Sequence, residues 1–167
     1  DSTLGRQTRV MERPDFDDIF MDLAIGLAKR SHCIKLKVGA VLAKETRVVS
    51  IGYNGPPSET YNCDEHFPEQ GCRRSLRGGC MLSIHAEQNA ILYAIKNNIS
   101  LEGATLYVTV SPCLPCARLT FGAGIKRVVY ITSYAKYKGV EVEEGIQFLQ
   151  DLGVTVEAYS LSLIHIS

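Results

Sequence analysis

A chain of 167 residues, 46% hydrophobic and 22% charged, is long enough to bury one ordinary core and has the make-up of a folded soluble domain. Its 18 basic and 18 acidic side chains cancel, so composition lends nothing to nucleic acid or an anionic membrane as the main partner. No apolar run approaches a bilayer span and no signal-peptide core opens the chain, which points to the cytoplasm; there six cysteines stay mostly reduced, and clustered thiols mean metal or catalysis more often than disulfides.

Residues 1–10 are polar and unpatterned and precede Met11, so they read as a disordered or foreign leader. From Asp15 the pattern turns helical: Phe16, Ile19, Phe20, Leu23, Ala24, Leu27 and Ala28 recur at three- and four-residue spacing, which makes one apolar stripe. Asp15, Asp17 and Asp18 in the first turn and Lys29 and Arg30 in the last suit the helix dipole. Residues 38–43 and 48–53 read as strands on the turn Lys44-Glu45-Thr46, with Pro56 and Pro57 ending the second.

Residues 55–84 show no periodicity but hold Cys63, Cys72 and Cys80, and a loop that long in a compact domain should be braced. A helix is expected over 86–96, a strand over 105–110, and a short helix from Pro112 to about Gly122 or Gly124. A β-branched strand over 127–132, a helix over 141–150 stopped by Gly153, and a last strand over 154–158 follow. The order implies a mixed five-stranded sheet, antiparallel in its first pair and parallel later, inside a three-layer α/β/α sandwich. One domain over residues 11–160 is expected, with 161–167 a foreign or assembly remnant.

Chemistry concentrates in His85-Ala86-Glu87 and Ser111-Pro112-Cys113-Leu114-Pro115-Cys116. His-x-Glu followed by Pro-Cys-x-x-Cys is the pattern of zinc deaminases. Cys113 and Cys116, three apart at a helix start, turn both sulfurs to one face, and Pro115 is tolerated in a first turn. His85 at another helix start would complete three ligands, leaving a fourth position for water. Glu87 can then serve as the proton shuttle, provided that His85 lies at the helix boundary, since positions two apart on a regular helix do not face each other. Singly, the histidine would more often be a packing or surface residue, the cysteines a redox pair or half of a structural site, and the glutamate a solvated helix residue. The combination makes coincidence very improbable.

On these residues the sequence resembles the cytidine and deoxycytidylate deaminase superfamily, in element order from residue 16 to 158. Gly52-Tyr53-Asn54-Gly55, the cysteine-bearing insertion and the run from Ile84 to Ile91 are similar to deoxycytidylate (dCMP) deaminases in particular. The resemblance implies hydrolytic deamination of dCMP to dUMP, a catalytic zinc on His85, Cys113 and Cys116, and Glu87 as proton donor. It also implies Asn54 against the nucleotide, the Ala86 amide and Ser111 carbonyl at the base edge, and Tyr134 against base or phosphate, with Lys136 and Lys138 as weaker phosphate candidates. A homo-oligomer, often a hexamer, activated by dCTP and inhibited by dTTP, is the further expectation. Free cytidine, guanine and tRNA adenosine deaminases share the chemistry and stay open, as does a non-catalytic zinc-stabilised module.

Some relatives carry a second, structural zinc in the insertion, where Cys33 and Cys63 resemble ligand positions and histidine can replace what are here Cys72 and Cys80. Four thiolates would make a closed tetrahedral site. His32 and His66 could substitute as ligands; two disulfides or free thiols are the alternatives, the former disfavoured by a reducing compartment.

Overall fold

The structure is a computed structural model of the full chain, described here for residues 13–33, 36–56, 83–139 and 143–160. The expectations for residues 1–10, Cys63, His66, Cys72, Cys80 and 161–167 lie outside the described residues, as does the side chain of Lys138.

In chain order the elements are α1 (Phe16–Ala28), β1 (Gly39–Lys44), β2 (Arg47–Tyr53), α2 (Ala86–Lys96), β3 (Thr105–Val110), α3 (Leu114–Gly122), β4 (Arg127–Thr132), α4 (Tyr134–Lys138), α5 (Glu144–Asp151) and β5 (Thr155–Ala158). The strands form one sheet in the order β2-β1-β3-β4-β5. β1 runs antiparallel to both β2 and β3, while β3, β4 and β5 are parallel. This is the mixed five-stranded sheet expected from the sequence.

Strand alternation divides the core. Ala40, Leu42, Leu106, Val108 and Val128 face a layer built from Ala86, Ala90, Ile91 and Ala94 of α2, Ala117 of α3 and Leu149 of α5. Val41, Ala43, Tyr107 and Val129 point the other way, onto Phe20, Met21 and Ala24 of α1. The three layers are therefore one helix, the sheet, and a group of helices. α2 sits close to the sheet because Gly52 has no side chain: a Cβ there would lie 2.5 Å from the Ala86 carbonyl oxygen and 2.8 Å from the Ala90 nitrogen. Ser50 completes the contact by donating to the Ala90 carbonyl at 2.6 Å.

Two differences from the sequence expectation have simple causes. The apolar stripe of α1 is split, because the sheet covers only one side of that helix: Phe20, Met21 and Ala24 are buried, whereas Phe16, Ile19 and Leu23 stay 39–47% exposed. Met21, which the stripe omitted, is fully buried. The second difference is α4, five residues and too short for periodicity. Its signals are local: the Ser133 side chain accepts the Lys136 amide at its start, and Gly139 ends it at φ 70°.

α1 is also tied down by charge. Arg127 donates to Asp17 at 2.7 and 3.0 Å and to Glu157 at 2.9 and 3.1 Å, while the Tyr107 hydroxyl donates to Asp17, so α1, β3, β4 and β5 share one network. The Arg127 hydrogen bonds hold both carboxyls below their ordinary values of 3.8 and 4.5. Depressed carboxyl pKa values contribute stability above those ordinary values, and that contribution is lost as pH falls through and below them. Because the partners are 30–46% exposed and therefore screened, Arg127→Met should cost about 1–2 kcal/mol at neutral pH. Urea unfolding of both proteins should show that gap unchanged from pH 7 to 5 and shrinking below about pH 4.5, the Glu157 reference value. A gap that widens on acidification contradicts the network.

Candidate active site

The parallel part of the sheet brings the chemistry to one edge. β3 and β4 both end there, and β1, running antiparallel to β3, starts there, since Gly39 donates to the Thr109 hydroxyl and pairs with Tyr53. Asn54, residues 111–113 and Tyr134 therefore leave the sheet on the same side, at the carboxyl ends of parallel strands where open α/β sheets bind ligands. The return from the insertion is fixed at this edge too: Gly55 and Ile84 exchange backbone hydrogen bonds of 3.0 and 2.6 Å, which place His85.

His85 and Cys113 are both N-cap residues, with extended ψ of 153° and 169°. His85 therefore sits at the helix boundary that the spacing argument required, and Cys113 just ahead of the first turn in which it was expected. The His85 amide donates to the Gln88 side chain at 3.0 Å, fixing the start of α2, and Pro115 takes the second position of α3, where no helical acceptor is lost.

The His85 Nδ1 atom lies 3.1 Å from the Cys116 sulfur and 3.5 Å from the Cys113 sulfur, and all three donor atoms fall within 4.8 Å of one another. Tetrahedral zinc with ordinary bond lengths would separate nitrogen and sulfur ligands by about 3.5 Å. Cys116 is fully buried, Cys113 half-buried and His85 on the exposed side, so the cluster opens in one direction.

Protonation tests the fit independently. The hydrogen bond from Cys116 and the His85 imidazole bring the Cys113 thiol down to about 4, while that bond and burial push the Cys116 thiol up. The Cys113 contact also raises His85. A divalent cation that displaces these protons satisfies all three donors, so the donor set fits zinc.

Glu87 is 4% exposed and its carboxyl is raised above the ordinary 4.5, chiefly by burial. A cation at the cluster acts in the opposite direction. Ala86, the first residue of α2, has an amide with no intrahelical acceptor, as a ligand-facing donor needs.

The other expected residues are placed with less freedom. Asn54 is buried; its side-chain oxygen accepts the Val38 amide at 2.8 Å and its nitrogen donates to the Leu36 carbonyl at 2.6 Å, leaving one hydrogen and one lone pair for a ligand. Ser111 continues the β3–β4 ladder through its amide and accepts the Tyr134 amide on its hydroxyl at 2.7 Å. Lys136 is exposed on α4. The spacing arguments missed Glu143, which accepts from the Ser111 hydroxyl at 3.3 Å and the Ala135 amide at 2.9 Å. In sequence it is one acid in Glu141-Val142-Glu143-Glu144, indistinguishable from a solvated face.

A mixed sheet carrying a histidine and a Cys-x-x-Cys pair on two helix starts, with a buried glutamate between, defines a zinc deaminase fold and site. The description "Cytidine and deoxycytidylate deaminase zinc-binding region" matches residues 14–132, and the chain belongs to that family. It is 37% identical to the deoxycytidylate deaminase of Saccharomyces cerevisiae over 162 residues, 94% of this chain but 49% of the yeast protein, so it spans about half that relative's length. It is 41% identical to the deoxycytidylate deaminase of Mycobacterium phage D29 over 132 residues, 72% of this chain and 97% of the phage protein. The crystal structure of the cyanophage S-TIM5 dCMP deaminase in complex with dCMP and dUMP superposes with a TM-score of 0.73 at 33% identity, covering 88% of this chain and 98% of that one.

Proposed function

We propose that this chain, as one catalytic domain over residues 11–160, deaminates dCMP hydrolytically to dUMP, releasing ammonia and supplying the precursor of thymidylate. The observation that carries the reading is the convergence of His85, Cys113 and Cys116 beside buried Glu87, in a chain of the deaminase family. The dCMP and dUMP bound to the cyanophage relative support a nucleotide monophosphate as substrate.

His85, Cys113 and Cys116 hold the metal. Bound there, zinc supplies the Lewis acidity that makes water nucleophilic near neutral pH. Glu87 takes one proton from the attacking water and gives it to the ring nitrogen next to the reacting carbon, then takes the second from the hydroxyl left on that carbon and passes it to the departing amine. Burial moves its carboxyl toward the range in which it can both accept and return a proton. The Ala86 amide and Ser111 carbonyl hold the base edge, Asn54 the nucleotide, and Tyr134 the base or phosphate. Turnover should follow the phosphate: a panel of dCMP, CMP, deoxycytidine and cytosine, with and without dCTP and dTTP, should show dCMP strongly preferred and the effectors acting on it. Equal turnover of dCMP and deoxycytidine overturns the substrate assignment.

A second, structural zinc on Cys33, Cys63, Cys72 and Cys80 and a homo-oligomeric, hexameric assembly belong to the same reading. Cys33 is half-buried, and its amide donates to the Ser31 hydroxyl, which in turn donates to the Asn54 carbonyl at 2.8 Å, so it stands beside the start of the insertion. The exposed Phe16, Ile19 and Leu23 edge of α1 is apolar surface of the kind that subunits cover. Native mass spectrometry reads both: two zinc ions per chain and a mass six times the protomer are expected, and one zinc or a monomer removes the corresponding statement. Among the described residues no helix is long and apolar enough to cross a membrane, and Cys33, Cys113 and Cys116 are free thiols; a cytoplasmic location is compatible with both.

A further inference from the structure

Glu143 lies outside the metal cluster and far along the chain from it, yet its carboxylate joins two segments of the site. One oxygen accepts the Ser111 hydroxyl at 3.3 Å, at the end of β3 just before the ligand turn. The other accepts the Ala135 amide at 2.9 Å, in the first turn of α4. Ser111 is itself a hub, because its hydroxyl oxygen also takes the Tyr134 amide at 2.7 Å. Backbone amides of Tyr134 and Ala135 are thereby both tied to one Ser–Glu pair. A five-residue helix is too short to be stable by itself and needs partners to hold it, and these bonds act alongside the packing of Tyr134 on the core and the burial of Ala135.

The start of α5 is separately docked on the ligand turn. A Cβ at Gly145 would run into the Pro112 carbonyl oxygen and approach the Cys113 carbonyl carbon to 3.1 Å, so only glycine lets the helix lie against that backbone. The Glu143 main chain is held as well, its carbonyl accepting the Gln147 amide at 2.9 Å. Cys113 thus keeps its support without the Glu143 carboxylate, whereas the Tyr134 segment loses the bond to the Ala135 amide and the brace on Ser111. The two functions of this region separate on different atoms.

We propose that Glu143 is a positioning residue for substrate binding: through Ser111 and Ala135 it sets where the Tyr134 wall stands relative to the metal cluster. This rests on the reading of Tyr134 as a wall of the dCMP pocket. The expected consequence of losing the carboxylate is weaker substrate binding with the chemistry preserved, since neither Glu87 nor a metal ligand is touched.

The test uses Glu143→Ala and Glu143→Gln in the full zinc-loaded chain. Glu143→Ala should raise KM for dCMP about 10-fold, within the range that outer-shell changes produce, with kcat and zinc content near wild type. Glu143→Gln, which keeps one acceptor oxygen for the Ala135 amide, should recover part of that loss. Hydrogen exchange of the peptide carrying Tyr134 and Ala135 should speed up in Glu143→Ala while that of α2 and α3 stays unchanged. Unaltered exchange there, or a fall in kcat at constant KM, overturns the assignment. Because exchange is read without substrate, a wild-type chain that ignores dCMP would sink the proposed function yet leave the positioning measurable. Should the alanine variant not fold, the glutamine variant decides by the same two readouts.

Discussion

Glu87→Gln should lower dCMP turnover by about 10²–10⁴-fold, the contribution of general acid–base catalysis, with fold and zinc content unchanged. Glutamine has nearly the same shape, so a side chain that is 4% exposed is replaced without opening a cavity. What disappears is ionisation, and with it a carboxylate that interacts with both His85 and Cys116. The stability effect has a definite sign. Burial raises the Glu87 carboxyl, so the folded state binds its proton more tightly than the unfolded chain does. Such a group costs stability as pH rises above the ordinary 4.5, and costs nothing below it. Metal-stripped Glu87→Gln should therefore melt at or above the wild-type temperature at pH 7, with the difference vanishing on acidification below about 4.5. A group placed for chemistry at the expense of stability behaves this way. Glu87→Ala should lose comparable activity, and normal turnover in either variant removes Glu87 from the mechanism.

The sheet and the cluster were legible in the sequence for different reasons. Strand and helix periods announce themselves wherever an element is long and half-buried, which is why β1 to β5, α2, α3 and α5 fall within a few residues of their expected bounds. The cluster was legible because its residues come as local pairs at helix starts: Cys113 with Cys116, and His85 with Glu87. Features assembled from distant residues were not. Asp17 and Arg127 are 110 positions apart, and Ser111 and Glu143 are 32 apart; each looks like an ordinary surface residue until the fold joins them. α1 shows the converse limit. Its apolar residues cover more than the sheet can bury, so periodicity identified the helix but not which of Phe16, Ile19, Phe20 and Leu23 would be covered. Asn54 is intermediate: the resemblance to deoxycytidylate deaminases marked it, but most of its side chain holds the backbone at Leu36 and Val38, a structural duty that a sequence does not reveal.

Cys116→Ala should abolish both the catalytic metal and the activity, and its cost should appear only where zinc is present. Cys116 is fully buried on α3, and its carbonyl accepts the Thr120 hydroxyl at 2.7 Å while the Cys113 carbonyl accepts the Ala117 amide at 2.8 Å. These backbone bonds do not need the sulfur, so the helix start survives the substitution. His85 and Cys113 alone leave the metal two protein ligands, and affinity should fall by well over the roughly 100-fold that outer-shell changes reach. Ligand binding to the folded state stabilises it by mass action, so wild type should melt higher with zinc than after chelation, whereas the variant should show little of that rise from this site. Metal-stripped, the two proteins should melt close together. Acid should strip the wild type more readily than base, because binding needs deprotonated sulfurs and a neutral imidazole, and the Cys113 contact raises His85 while the hydrogen bond with Cys113 and burial raise Cys116. Zinc analysis after dialysis against a chelator at pH 5.5 and 8 measures this directly. A variant that keeps its zinc on dialysis and still turns over dCMP shows that Cys116 is not a ligand. Equal retention by wild type at both pH values shows that protons do not compete for these three donors.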